Sequence, residues 1–154
     1  SHRSSETGLR RGAEMAKDFV TYDEIEIGAK ASFSKTISES DVYQFAGITG
    51  DFNELHINQV AAESSLFRSR VVHGCLADSL VSTVLGMKYP GRGTIFLEKS
   101  VSYVKPVYIG DTITCEITAA EKREKGRVFF DVSYRNQDGV EVIKGNALVM
   151  APRG

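Results

Sequence analysis

The stretch 74-GCLADSLVSTVLGMK-88 offers water no adequate polar face. Leu76, Leu80 and Val84 recur every four residues, with Val81 and Leu85 beside them, while Ala77, Ser79, Ser82 and Thr83 keep the remaining surface slim. A helix this widely apolar is buried on most sides, so the rest of the chain has to wrap it. Pro90-Gly91 stops it, and everything downstream reads as strand. The segment 94-TIFLEKSVSYVKP-106 is long. In 112-TITCEIT-118, Ile113, Cys115 and Ile117 share one side; in 127-RVFFDVSY-134, so do Val128, Phe130, Val132 and Tyr134. Asn136-Gln137-Asp138-Gly139 turns the chain into 140-VEVIKGNALVM-150. Connections this short join antiparallel neighbours. With 31-ASFSKTI-37 ahead of the helices, the expectation is an α+β domain: an antiparallel sheet of about five strands around one long central helix.

The length of 154 residues suits one domain, placed at residues 19–154. Residues 1–18 carry no sustained periodicity and no apolar h-region, and read as a disordered leader or tag-derived tail. The 19 basic and 20 acidic residues give a net charge of −1 and no basic stripe, against a nucleic-acid binder. No apolar run is long enough to span a membrane. Cys75 and Cys115 lie in apolar surroundings with neither metal spacing nor a disulfide framework, and read as buried free thiols of a cytoplasmic protein. The three histidines are His2, in the leader, His56 and His73, too few for a histidine-rich metal site.

Upstream of the long helix, Ser38 followed by Asp41 is a carboxylate capping box that starts a helix. Val42, Phe45, Ala46 and Ile48 form its apolar face, and Gly47 and Gly50 end it. A second short helix is expected over 58–67. Between them lies 50-GDFNELHINQ-59, which crowds Asp51, Asn53 and His56 behind a glycine. On a continuous helix a spacing of five turns His56 about 140° away from Asp51. In a turn followed by an extended piece, both reach one cleft. The same residues also suit a plain surface turn, with Asp51 capping it.

The other polar point is His73-Gly74, where the long helix begins. The first N–H groups of a helix lack internal partners and carry the positive end of its dipole. With no side chain at Gly74, a substrate carbonyl can approach that N–H, a donor suited to a developing oxyanion. Alternatively, His73 packs beside the helix and Gly74 only permits the turn.

Together the two segments resemble a known family. The run 45-FAGITGDFNELHINQVAAESSLF-67 is similar to the signature of the MaoC-like, (R)-specific enoyl-CoA hydratases (hydratase 2): an aromatic, a small residue, Gly-Asp-x-Asn-Pro, an aliphatic, His, then a small residue. Gly50, Asp51, Asn53, Leu55, His56 and Ala62 match; Glu54 replaces the proline, which bears on loop rigidity rather than chemistry. The segment 72-VHGCLADSLVS-82 resembles the family's His-Gly segment, with Ser82 where a serine is often found near the dyad. The segment 103-YVKPVYIGDTI-113 resembles its strand and turn before the last hairpin. The resemblance covers residues 19–151.

It implies a hot-dog fold, a homodimer or higher homo-oligomer, and reversible hydration of a trans-2-enoyl thioester, on coenzyme A or an acyl carrier, to an (R)-3-hydroxyacyl thioester. Asp51 and His56 would activate one water and Gly74 N–H would hold the thioester oxygen. Asn53, His73 and Ser82 would support them, with no cofactor and no metal. Arg68, Arg70, Lys88, Arg92 and Lys99 are candidates for the carrier's phosphates. Two other activities fit a hot-dog chain: an acyl-thioesterase, and a non-catalytic acyl-thioester-binding subunit.

Overall fold

The computed structural model describes residues 17–154. The expected leader lies outside them except at its last two positions, which are tied into the fold. Lys17 pairs with Glu24, and Arg92 bonds the Asp18 carboxylate at 2.8 Å and the Asp18 carbonyl at 3.3 Å.

Five strands form one antiparallel sheet: β1 (Lys30–Thr36), β2 (Ile95–Tyr103), β3 (Thr112–Lys122), β4 (Arg127–Arg135) and β5 (Glu141–Met150), in the order β1-β3-β4-β5-β2. The period-two alternation selects the inner face. Ile113, Cys115, Ile117, Val128, Phe130, Val132 and Tyr134 are all buried, at most 4% exposed. Against them pack Ala77, Leu80, Val81, Val84 and Leu85 from residues 74–88. The sheet wraps its helical segment, the hot-dog arrangement.

The helical segment is not one uniform helix. It runs as α4 (Gly74–Asp78), α5 (Leu80–Thr83) and a π-helical end over Val84–Lys88. At Ser79 the amide is shared between the carbonyls of Cys75 and Leu76, and the Ser79 hydroxyl bonds Leu76 O at 2.6 Å. A serine that bonds back to the preceding turn competes with the regular ladder, and periodicity does not register this. Tyr89 N–H then reaches Val84 O, closing the wider π turn before Pro90.

The earlier helices also differ in detail. α1 (Glu39–Thr49) begins at Ser38 with the expected capping box. The Ser38 amide and the Lys35 ammonium hold the Asp41 carboxyl below its usual range. Val42 and Ala46 are buried, but Ile48, about 200° round from Ala46, is 83% exposed. Gly47 lies within the helix, which ends at Gly50 with φ +83. The expected helix over 58–67 is confined to α3 (Gln59–Glu63).

Candidate active site

Gly50 is left-handed, so the chain leaves α1 sharply and Asp51 follows at once. Asp51 Oδ1 accepts the Asn53 amide at 3.2 Å, and Asn53 Oδ1 accepts the Leu55 amide at 3.1 Å. Each short polar side chain thus closes a turn over its own backbone. The second bond caps α2 (Glu54–Ile57), a single helical turn in place of the expected extended piece. Leu55 and Ile57 on either side of His56 suit an extended piece, but the Asn53 cap decides locally for helix. Glu54 is the first helical residue. Proline is favoured there because its missing N–H goes unused, and an acid suits the helix dipole, so the replacement keeps the turn.

α2 places His56 against the 71–73 segment. Val71 N–H bonds Leu55 O at 3.0 Å, Val72 N–H bonds Val107 O at 2.7 Å, and His56 Nδ1 lies 2.7 Å from Val71 O. A carbonyl only accepts, so Nδ1 carries a proton, and in the neutral ring the lone pair is on Nε2. His73, 2% exposed, stacks on His56 with ring centroids 3.9 Å apart and tilts against Phe45 at 4.8 Å. Its Nε2 lies 3.0 Å from Asp51 O, which by the same rule makes it the donor, while Nδ1 is buried without a partner among the described residues. His73 therefore ties the Asp51 backbone to the ring beneath His56.

A carboxylate oxygen of Asp51 and one nitrogen of each histidine lie within 4.8 Å of one another. A water making two hydrogen bonds of ordinary length bridges acceptors about 4–5 Å apart. The same three donors also lie close enough to be considered for a cation, a mixed set that a count of histidines does not address.

A cavity of about 500 Å³ opens beside this cluster, lined by His56, Gly74, Cys75 and Tyr103 and by apolar side chains including Phe67, Val107 and Ile143. Gly74 and Cys75 are the first residues of α4, and the side chain of His73, at the helix N-cap, makes no capping bond. The fold thus sets His56 and the opening of the buried helical segment on one cavity, with Asp51 beside His56.

Ser82 is not brought to the pair: it is exposed on α5, two turns beyond Gly74, outside the cavity lining. The basic candidates are largely committed elsewhere. Arg70 bonds Glu39, Tyr43 and Gln59; Arg92 bonds Asp18; Lys88 lies over the Phe33 ring; Arg68 is exposed in a left-handed turn (φ +61). Lys99 is drawn inward, its Nζ 2.5 Å from the carboxylate of Asp78, which is 2% exposed. Sequence reasoning missed Asp78, an acid on a helix otherwise read as apolar, and Lys105, the cation that does line the cavity.

Of the two thiols expected to be buried, only Cys115 is. Cys75 is exposed at the cavity wall, whereas burial pushes the Cys115 thiol up to about 12. Since the thiolate is the nucleophile, iodoacetamide near pH 8 is expected to alkylate Cys75 alone in the native protein and to abolish turnover, with Cys115 reacting only after denaturation. Peptide mass spectrometry against residual activity checks this; Cys75 alkylated with turnover unimpaired would place the working cavity elsewhere.

The MaoC-like domain model matches residues 22–139. The chain is 41% identical over 132 residues to an (R)-specific enoyl-CoA hydratase of Rhodospirillum rubrum, covering 85% of this chain and 91% of that protein. It is 33% identical over 135 residues to a 3-hydroxybutyryl-CoA dehydratase of Methylorubrum extorquens, covering 86% and 84%. The unliganded R-hydratase of Pseudomonas aeruginosa superposes with a TM-score of 0.83 at 35% identity, covering 88% of each chain.

Proposed function

This chain belongs to the MaoC-like family, and from that premise we propose how its residues act. It is a hydro-lyase that interconverts a trans-2-enoyl thioester and water with the (R)-3-hydroxyacyl thioester. The observation that carries the site assignment is the meeting of Asp51 and His56 beside the cavity whose wall includes Gly74. One water sits between the Asp51 carboxylate and the Nε2 lone pair of His56. Its oxygen attacks C3 while the C2=C3 electron pair moves toward the thioester carbonyl. The oxygen that gains charge is held by Gly74 N–H at the positive end of the helical segment. The proton released by the water passes through the Asp51–His56 pair to C2, which balances the addition. Asn53 holds the loop and His73 supports both members of the pair.

The cluster is assigned to water rather than to a cation. His73 Nε2 is engaged as a donor to the Asp51 carbonyl, so that nitrogen has no lone pair to offer an ion. No cofactor takes part. Coenzyme A or an acyl carrier delivers the thioester. β2 has one neighbour in the sheet and leaves Ile95, Phe96, Leu97 and Tyr103 exposed. An open apolar edge of this kind invites a second strand, and pairing along it supports a homodimer.

Crotonyl-CoA tests this reading. Enoyl absorbance is expected to fall without release of thiol, in the presence of EDTA, giving the (R)-3-hydroxy product. Thiol release would mark a thioesterase, loss of the rate in EDTA would restore the metal, and no turnover at any chain length would leave a binding subunit. Light scattering of the same sample at the monomer mass of 16.9 kDa would refute the dimer.

A further inference from the structure

Gly74 and Asp78 are four residues apart on α4 and therefore share a face, one turn apart. A single side chain from β2 lies along that face. The ring of Tyr103 is pressed on Gly74 so closely that a Cβ added there would come within 2.6 Å of Tyr103 Cε1 and 2.9 Å of Cζ. Its hydroxyl, at the far end of the ring, donates to Asp78 Oδ2 at 2.5 Å. Asp78 Oδ1 accepts from Lys99, four residues earlier on the same strand, and the Asp78 carbonyl accepts the Tyr134 hydroxyl at 2.6 Å. Desolvation of the phenol, then the Asp78 carboxylate, push Tyr103 well above its usual range, so the protonated form is the one that donates.

The arrangement is a brace across one helical turn. A buried carboxylate without partners is costly; Lys99 and Tyr103, both on β2, satisfy it. The turn carrying Gly74 is thereby fixed to β2 at two points, the ring on Gly74 and the tether at Asp78. Below that turn the regular ladder is perturbed at Ser79, whose amide is shared between the Cys75 and Leu76 carbonyls. Neither Asp78 nor Tyr103 has a role in the chemistry given above, yet Tyr103 lines the cavity beside Gly74.

We propose that Tyr103, tethered by Asp78, is a positioning residue for the reaction: it holds the Gly74 N–H where the thioester oxygen gains charge. The inference rests on the hydratase reading above. An amide that is slightly misplaced still admits substrate but serves the transition state poorly, so the loss appears in kcat with KM nearly unchanged.

Tyr103→Phe keeps the ring and removes the tether. It is expected to lower kcat on crotonyl-CoA about 10-fold, short of the roughly 10²–10³ lost with an oxyanion donor itself. Asp78→Asn retains an acceptor for the hydroxyl and is expected to recover most of the rate, whereas Asp78→Leu falls as Tyr103→Phe does. The double variant Tyr103→Phe/Asp78→Leu is expected to be no slower than either single one, because both break the same bond. Circular dichroism and melting of each variant separate positioning from folding. Wild-type kcat in Tyr103→Phe, a change in KM alone, or multiplicative losses in the double variant would overturn the inference. A wild-type protein that fails to hydrate crotonyl-CoA or longer enoyl thioesters would instead remove the reading beneath it.

Discussion

Asp51→Asn is expected to lower kcat by about 10²–10⁴, the range that positioned proton transfer contributes, while melting within about 2 °C of the parent. The stability half of this expectation follows from the loop. Asp51 is exposed, and its side-chain bond, from the Asn53 amide to Oδ1, is one an asparagine oxygen also accepts. Exposed substitutions of that kind usually stay within about 0.5 kcal/mol, which is roughly 1–2 °C for a domain of this size. What the amide cannot do is take up a proton. His56→Asn is the matched partner. Alanine there would also remove the bond to Val71 and the ring stacked on His73; an asparagine NH₂ can stand in for Nδ1–H but offers no base at Nε2. Progress curves of enoyl absorbance alongside thermal melts measure both halves. Wild-type turnover in either variant would remove that residue from the chemistry.

The largest expected effect on stability lies far from the pair. Gly145, on β5, faces Val101 of β2 and Val132 of β4. A Cβ built on it falls 1.9 Å from the Ser100 carbonyl oxygen and 2.9 Å from Val101 Cα, both backbone atoms. No rotamer change relieves such a contact; β2 has to move away from β5. Gly145→Ala is therefore expected to cost about 3 kcal/mol or more, at the upper end of what local strain and ladder damage produce, lowering Tm by roughly 6–12 °C. Gly86→Ala is the control, since a methyl group there meets nothing within 4 Å. Equal melting of the two variants would show that β2 and β5 are not packed this closely.

Much of the sheet was legible because β1, β3 and β4 alternate with period two over seven or more residues, a signal carried by many side chains at once; β2 and β5 do not alternate and are legible from their length and from the turns around them. The capping box at Ser38 and Asp41 was legible because both partners lie within one turn of sequence. The Asp51–His56 loop was readable as a motif but not as a shape. Its helical turn depends on one Asn53 bond, and two flanking aliphatics outweigh that in any pattern of apolar residues. Ser82 falls at the right distance in sequence, yet helical rise carries it two turns from Gly74. Asp78 left no signal, because its partners, Lys99 and Tyr103, lie 21 and 25 residues on and meet it only when the sheet closes. The committed arginines follow the same logic: Arg70 finds Glu39 across 31 residues, so a surface charge in sequence was already spent in space.

The irregularity at Ser79 divides the helical segment into an opening and a deep end. Leu80, Val81, Val84 and Leu85 are buried in the core, whereas Gly74 and Cys75 at the opening line the cavity. Repacking for heat resistance can therefore be aimed at the deep end without retuning turnover, and changes of substrate preference can be sought at the entrance without dissolving the interior.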